Sequence, residues 1–176
     1  MNPAKRYAKA LFDLSQENQK LEAVHSDLQT LENIIQSSKE LNAFLQNPVI
    51  SFHQREKILD SLFKNKISDL THRFLNFLVQ KKRINILLTI CKGFEDLYLK
   101  NKNIARVNIT SSGTISEGQV QAICQYLKTK LKKDIEATVD KNQSILGGLK
   151  IQIGDLIYDY SLRTQLDKFR ENILHA

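Results

Sequence analysis

The chain has 176 residues, 41% of them hydrophobic and 26% charged, a mixture that predicts a soluble globular protein of one domain or two small ones. Lys and Arg number 26 against 19 Asp and Glu, a formal charge of +7, so an acidic partner or an anionic surface is expected. Only 2 Pro and 6 Gly occur, which excludes a disordered, collagen-like or loop-dominated chain, and no apolar run reaches the ~18 to 20 residues of a bilayer span.

Up to about Lys102 the apolar residues recur at helical spacing, and six helices are predicted. The first, about Ala4 to Gln16, puts Tyr7, Ala10, Leu11 and Leu14 on one face. The second, about Lys20 to Ser37, repeats the rhythm with Leu21, Val24, Leu28, Leu31 and Ile35. A short third, about Glu40 to Gln46, stops at Asn47 and Pro48, because proline disfavours helix in the residue before it. Ser51 is read as the cap of a fourth, with Ile58, Leu59, Leu62 and Phe63 facing inward. Ser68 starts a fifth that reaches Lys82. There Phe74, Leu75, Phe77, Leu78 and Val79 crowd two faces, so this helix either lies deep in the core or meets a second apolar surface. The sixth runs from about Ile86 to Asn101 and ends in a polar, cationic stretch read as a helix end followed by a linker.

Past Asn103 the period changes to two. Ile104 to Ile109 alternates as a half-buried strand ending in a turn from Thr110 to Thr114. Ser116 and Gln119 form a capping box for a helix to about Lys132. Strands follow at Ile135 to Val139, Leu149 to Ile153 and Leu156 to Asp159, the last two joined by a tight turn at Gly154 and Asp155. Ser161 caps a final helix in which Leu162, Leu166, Phe169 and Ile173 form a seam fit for another helix. The fold class is therefore α+β: an N-terminal all-α six-helix bundle over 1–103, then a small α/β domain over 104–176. The first part holds 16 Lys and Arg against 11 Asp and Glu, the second 10 against 8.

Catalytic chemistry finds no constellation. There is no Gly-rich phosphate loop, and Gly147 and Gly148 fall between strands, where a bulge or close backbone approach explains them. Cys91 and Cys124 lack metal-ligand spacing and read as buried or half-buried free thiols. His25, His53, His72 and His175 stand on separate segments and suit solvated helix faces. No metal, no cofactor and no enzymatic activity are expected. The start, MNPAKRYAKALF, has no apolar core or cleavage site and predicts neither a signal peptide nor a transit peptide. Two basic clusters, Lys81 to Arg83 and Lys128 to Lys133, leave a small nucleic-acid-binding protein as the alternative. Ordinary cations at helix ends explain them better, because the aromatics fall on apolar faces instead of among these charges. What remains is apolar surface on helices beyond the needs of one core, which suggests a protein that holds other helices.

The chain resembles the ATP synthase delta subunit / oligomycin-sensitivity-conferring protein family over nearly its whole length. The matching residues are Arg6 to Phe12, Asn47 to Ile50, Phe74 to Val79 with Arg83, Val139 and Asp140, Ile145 to Leu149, Ile153 to Asp155, and Asp159, Ser161, Leu162 and Leu166. Tyr160 departs from the pattern, at a position often small in the family. The resemblance implies a noncatalytic stator subunit that links the catalytic head to the peripheral stalk, so that proton-driven rotation is coupled to ATP synthesis. It implies a groove between helices one and five for the N-terminal helix of an alpha subunit, which falls by position on Tyr7, Ala10, Leu11, Leu14, Phe74, Phe77 and Leu78. It further implies a C-terminal domain held by the stalk b subunits, in which Gly147, Gly148, Asp159, Leu162, Leu166, Phe169 and Ile173 maintain the fold or meet the stalk. No nucleic acid is expected, and membrane association is only indirect, on the cytoplasmic face of a bacterial inner membrane or the stromal face of a thylakoid.

Overall fold

A computed structural model describes residues 3–47, 50–63, 66–142, 145, 147–154, 156–164, 166 and 170. The chain is mostly helical with one small mixed sheet, an α+β protein, and divides into two compact units, Met1–Tyr98 and Leu99–Ala176. That division falls inside the sixth helix, a few residues before the boundary read from the period change.

In the first unit the helices are α1 (Pro3–Glu17), α2 (Leu21–Ser37), α3 (Lys39–Gln46), α4 (Phe52–Phe63), α5 (Asp69–Gln80) and α6 (Leu87–Asn101). Local chemistry sets their starts. The Ser38 hydroxyl accepts from the Leu41 N–H at 3.1 Å, and Ser51 and Gln54 form a reciprocal capping box before α4. The sequence begins α6 at Ile86; in the structure Ile84–Ile86 is a 3-10 turn, and the α-helix starts one residue later.

The core of this unit is drawn from all its helices, with Leu11, Leu31, Ile35, Leu59, Leu78 and Phe94 almost wholly buried. Phe12 of α1 meets Phe94 of α6 edge to face, centroids 5.7 Å apart. Gly93 lets α1 and α6 approach closely, since a Cβ there would lie 3.1 Å from the Ala8 Cβ. Cys91 is buried, and desolvation, with the Glu32 carboxylate nearby, pushes its thiol up to about 12, so it acts as a small hydrophobe.

Two expectations fail here. Ile58 and Leu62 of α4 are exposed, because the helix buries the Arg55, Leu59 and Phe63 stripe and the other two lie to its side. His25 and His72 are half-buried: His25 stacks on Tyr98 with centroids 3.8 Å apart, and His72 Nε2 lies 2.7 Å from Asp60 Oδ1, joining α5 to α4. His53 is exposed as expected, and His175 lies outside the described residues.

The second unit is built on β1 (Ile104–Ser111), α7 (Glu117–Leu131), β2 (Asp134–Lys141), β3 (Leu149–Ile153) and β4 (Leu156–Asp159), in sheet order β2-β1-β3-β4. β1 runs parallel to β2, with α7 as the crossover, while β3 is antiparallel to both β1 and β4. β1 extends to Ser111, two residues into the segment read as a turn, because Thr110 and Ser111 still pair with Lys150 and Leu149 of β3. Asn103 is no free linker: its carbonyl accepts from the Asp134 N–H and its side chain donates to the Lys132 carbonyl, both at 3.1 Å. Val107, Ile109, Leu127 and Ile151 form this unit's core. Among the described residues no helix is long and apolar enough to cross a membrane.

Candidate functional site

The family resemblance implies a groove between helices one and five at seven residues, and six of them line one open hollow of about 490 Å³ between α1 and α5. Its α1 wall presents Tyr7, Ala10 and Leu14 at successive turns above a floor at Leu11. Its α5 wall presents Phe74 and Phe77, with Leu70 one turn earlier. Leu14 and Phe77 stand 47% and 40% exposed, too much apolar surface for residues that merely close a core. At one end Tyr7 and Phe77 meet edge to face across the hollow, with centroids 6.3 Å apart.

Leu78 is the exception. It is fully buried with Leu75 and Val79, which define the core face of α5, and a helix turns about 100° per residue, so Phe77 faces the groove while its neighbour faces inward. Periodicity in a helix that is apolar on two sides cannot say which stripe is the core.

The rim carries charges that the sequence reading did not assign. Arg73 pairs with Asp69 at 2.9 Å along α5, Lys20 stands at the far end, and the Lys81 ammonium lies 5.6 Å from the centre of the Phe77 ring.

The α5 wall is held from behind. One carboxylate oxygen of Asp27, on α2, accepts from the Ser68 N–H at 2.9 Å, the Ser68 hydroxyl at 2.6 Å and the Thr71 hydroxyl at 2.7 Å. A carboxylate thus sits at the positive end of α5 and fixes its start, with the Thr71 hydroxyl wholly buried. Asp27→Ala leaves these donors short of an acceptor and is expected to lower stability by about 2 kcal/mol in urea unfolding, and less than additively with Ser68→Ala. A loss under about 0.5 kcal/mol would show that α5 is held otherwise. Serine as the cap was legible, whereas a partner 41 residues upstream had no sequence signal.

In the second unit Gly147, Gly148, Asp159 and Leu162 gather at one corner. The Asp159 carboxylate accepts from the Ser161 N–H at 2.9 Å, and its bonds to the Ser161 hydroxyl and backbone hold it below the usual aspartate range. The Leu162 N–H donates to the Gly147 carbonyl at 3.0 Å, and a Cβ on Gly147 would come 2.6 Å from Leu162 Cδ1. Gly148, at φ +83°, lies against the backbone, where a Cβ would be 2.3 Å from the Tyr160 carbonyl oxygen. Leu162 and Leu166 are exposed, 49% and 64%; Phe169 and Ile173 lie outside the described residues, as does Asp155. Among the described residues no cluster of His, Cys, Asp or Glu could hold a metal ion.

Comparisons with known proteins agree with one another. Residues 4–173 match the family model described as ATP synthase delta (OSCP) subunit. An ATP synthase subunit delta of Lactobacillus gasseri is 37% identical over 172 residues, covering 97% of this chain and 94% of that protein. The ATP synthase subunit delta of Halalkalibacterium halodurans is 35% identical over 174 residues, with the same coverage, 97% and 94%. Among solved structures, a chain of the Toxoplasma gondii mitochondrial ATP synthase hexamer superposes with a TM-score of 0.82 at 26% identity, covering 99% of this chain and 98% of that one.

Proposed function

Because this chain belongs to the ATP synthase delta (OSCP) subunit family, a noncatalytic part of the F-type ATP synthase, we propose that it is the stator connector between catalytic head and peripheral stalk. In this reading α1 to α6 act as the six-helix bundle that sits on the head, and the groove between α1 and α5 receives the N-terminal amphipathic helix of an alpha subunit. The unit over 104–176 is held by the stalk b subunits, through the corner at Gly147, Gly148 and Asp159 and the exposed Leu162 and Leu166. The stalk is thereby tied to the head, the head does not turn with the rotor, and rotation becomes strain on the catalytic sites. The protein then sits at the cytoplasmic face of the membrane, or the stromal face in a plastid, and touches the bilayer only through the complex.

One observation carries the first half of this reading: large apolar side chains stay exposed on both walls of a preformed trough. A helix laid in such a groove buries about 800 Å² per partner, enough for tight binding when little has to be ordered first. Titration calorimetry of the full chain with a synthetic peptide of the first ~25 residues of the cognate alpha subunit is expected to show one-to-one binding in the submicromolar range. That affinity should fall only slightly between 50 and about 300 mM salt, whereas phosphate contacts to nucleic acid would weaken steeply. No heat and no binding with the full chain would sink the reading.

A further inference from the structure

The charges of α1 run against the dipole of the helix that carries them. A helix is stabilised by acids in its first turn and by cations in its last. α1 has neither: Lys5 and Arg6 stand in the first turn, Lys9 follows, no acid comes before Asp13, and Glu17 closes the last turn. All five side chains are exposed, so core packing does not account for them either. A charge order that weakens its own helix and touches no core points to a partner outside the chain.

The reversed charges flank the groove. Arg6, Ala10, Asp13 and Glu17 are spaced four, three and four, so they share one stripe of α1, and Ala10 of that stripe lines the hollow. Arg6 lies one turn before Ala10 and Glu17 two turns after it, with roughly 16 Å between them along the axis. The α1 side of the groove thus changes sign along its length.

The α5 side repeats the change. The hollow holds α1 residues that follow Tyr7 and α5 residues that precede Phe77, and those two rings meet at one end, so the walls run in opposite directions. The end of α5 therefore stands beside the start of α1. Lys81, Lys82 and Arg83 are exposed there, and the Lys81 ammonium lies over the Phe77 ring. At the far end Asp69 is taken by Arg73, and Lys20 offsets only one of Asp13 and Glu17. Among the described residues Arg6, Asp13, Glu17 and Lys81 enter no ion pair.

We propose that the groove is polar along its length and that this sets the direction of its occupant. The alpha-subunit helix lies parallel to α1, with acids beside its apolar stripe in the first half, against Arg6 and Lys81, and cations in the second half, against Asp13 and Glu17. Such a helix carries its charges in the order its own dipole favours, and α1 presents the complementary order. Laid the other way, the same helix would set acid against acid and cation against cation. This direction rests on the groove reading and adds what apolar contacts alone leave open.

The test uses the full chain and two synthetic peptides: the first ~25 residues of the cognate alpha subunit, and the same peptide with the acids of its first half and the cations of its second half swapped. The swap keeps composition and apolar stripe. At about 50 mM salt the swapped peptide should bind about 10-fold more weakly, and at about 300 mM the gap should close to about threefold, because exposed pairs are screened. A nitroxide near the N-terminus of the native peptide should broaden the amide signals of Arg6 and Lys81 more than those of Asp13 and Glu17. The triple variant Arg6→Glu, Asp13→Lys, Glu17→Lys repairs the dipole of α1, so it should melt at or above the wild-type temperature and yet bind the swapped peptide better than the native one. A merely structural role for these charges would not reverse that preference. Equal binding of the two peptides by the wild-type chain, or stronger broadening at Asp13 and Glu17, overturns the direction and leaves the groove standing. A cognate helix with cations first and acids second overturns it as well. A wild-type chain that binds neither peptide overturns the groove reading and the direction together.

Discussion

Ala10→Asp is expected to abolish docking of the alpha-subunit helix, weakening the peptide by about 100- to 1,000-fold. Ala10 lies between Tyr7 and Leu14 on the α1 wall and is exposed in the free chain, so a carboxylate there remains hydrated until a helix covers it. Docking then strips that water and leaves the charge against an apolar stripe, a cost on the order of 3 to 4 kcal/mol, or two to three decades in affinity. Arg6, four residues earlier on α1, offsets part of this on the free surface, so Ala10→Gln is the companion variant: its added bulk without charge is expected to cost about 10-fold. Both variants should melt with the wild type, since Ala10 takes no part in the buried set of Ala4, Ala8, Leu11, Phe12 and Ser15. Peptide affinity within about threefold of wild type in Ala10→Asp would remove the groove from the function.

The second large effect concerns stability. Gly148→Ala should cost the second unit about 3 kcal/mol or more, because the added Cβ meets a backbone carbonyl at 2.3 Å and the residue holds φ +83°, where side chains are strained. Neither insult relaxes by a rotamer change. The Tyr160 carbonyl cannot retreat freely, since the Tyr160 N–H is bonded to the Leu149 carbonyl at 2.9 Å in the same corner. Hydrogen exchange should therefore accelerate across β1, β3 and β4 and leave α1 to α6 at wild-type protection. Gly118→Ala is the control: nothing lies within 4 Å of a Cβ there, and alanine suits the first turn of α7, so the change should be neutral or slightly stabilising. Unchanged exchange in Gly148→Ala would mean that the corner gives way more easily than its bonding implies.

Both predictions rest on residues visible in the sequence, for different reasons. Ala10 was singled out by spacing and resemblance, and the structure adds that it is open to solvent beside a preformed hollow. Gly148 was read as a place of close backbone approach because it sits between strands, and the structure names what approaches. The errors are equally specific. Ile58 and Leu62 carry the same apolar signal as Leu59 and Phe63, yet α4 buries only one stripe, because three faces of a helix can be apolar while one meets the core. Leu78, which the resemblance puts in the groove beside Phe77, is buried on the core face of α5.

The described elements, by contrast, were legible to within about two residues at their ends. Their periods, Ser caps, Pro and Gly are local properties, and each is decided within one or two turns of chain. The family was legible too, because order and spacing of many weak signals over the whole length carry more than any one motif. What only the tertiary structure decided is every relation between residues far apart in the chain: Asp27 holding the start of α5, His72 against Asp60, Tyr7 across from Phe77, and Leu127 of α7 packed with Val107, Ile109 and Ile151 of the sheet. A sequence states which side chains are apolar and at what period; which of two apolar stripes is buried depends on how much surface the neighbouring elements have available to cover it, and that is fixed only when the elements pack.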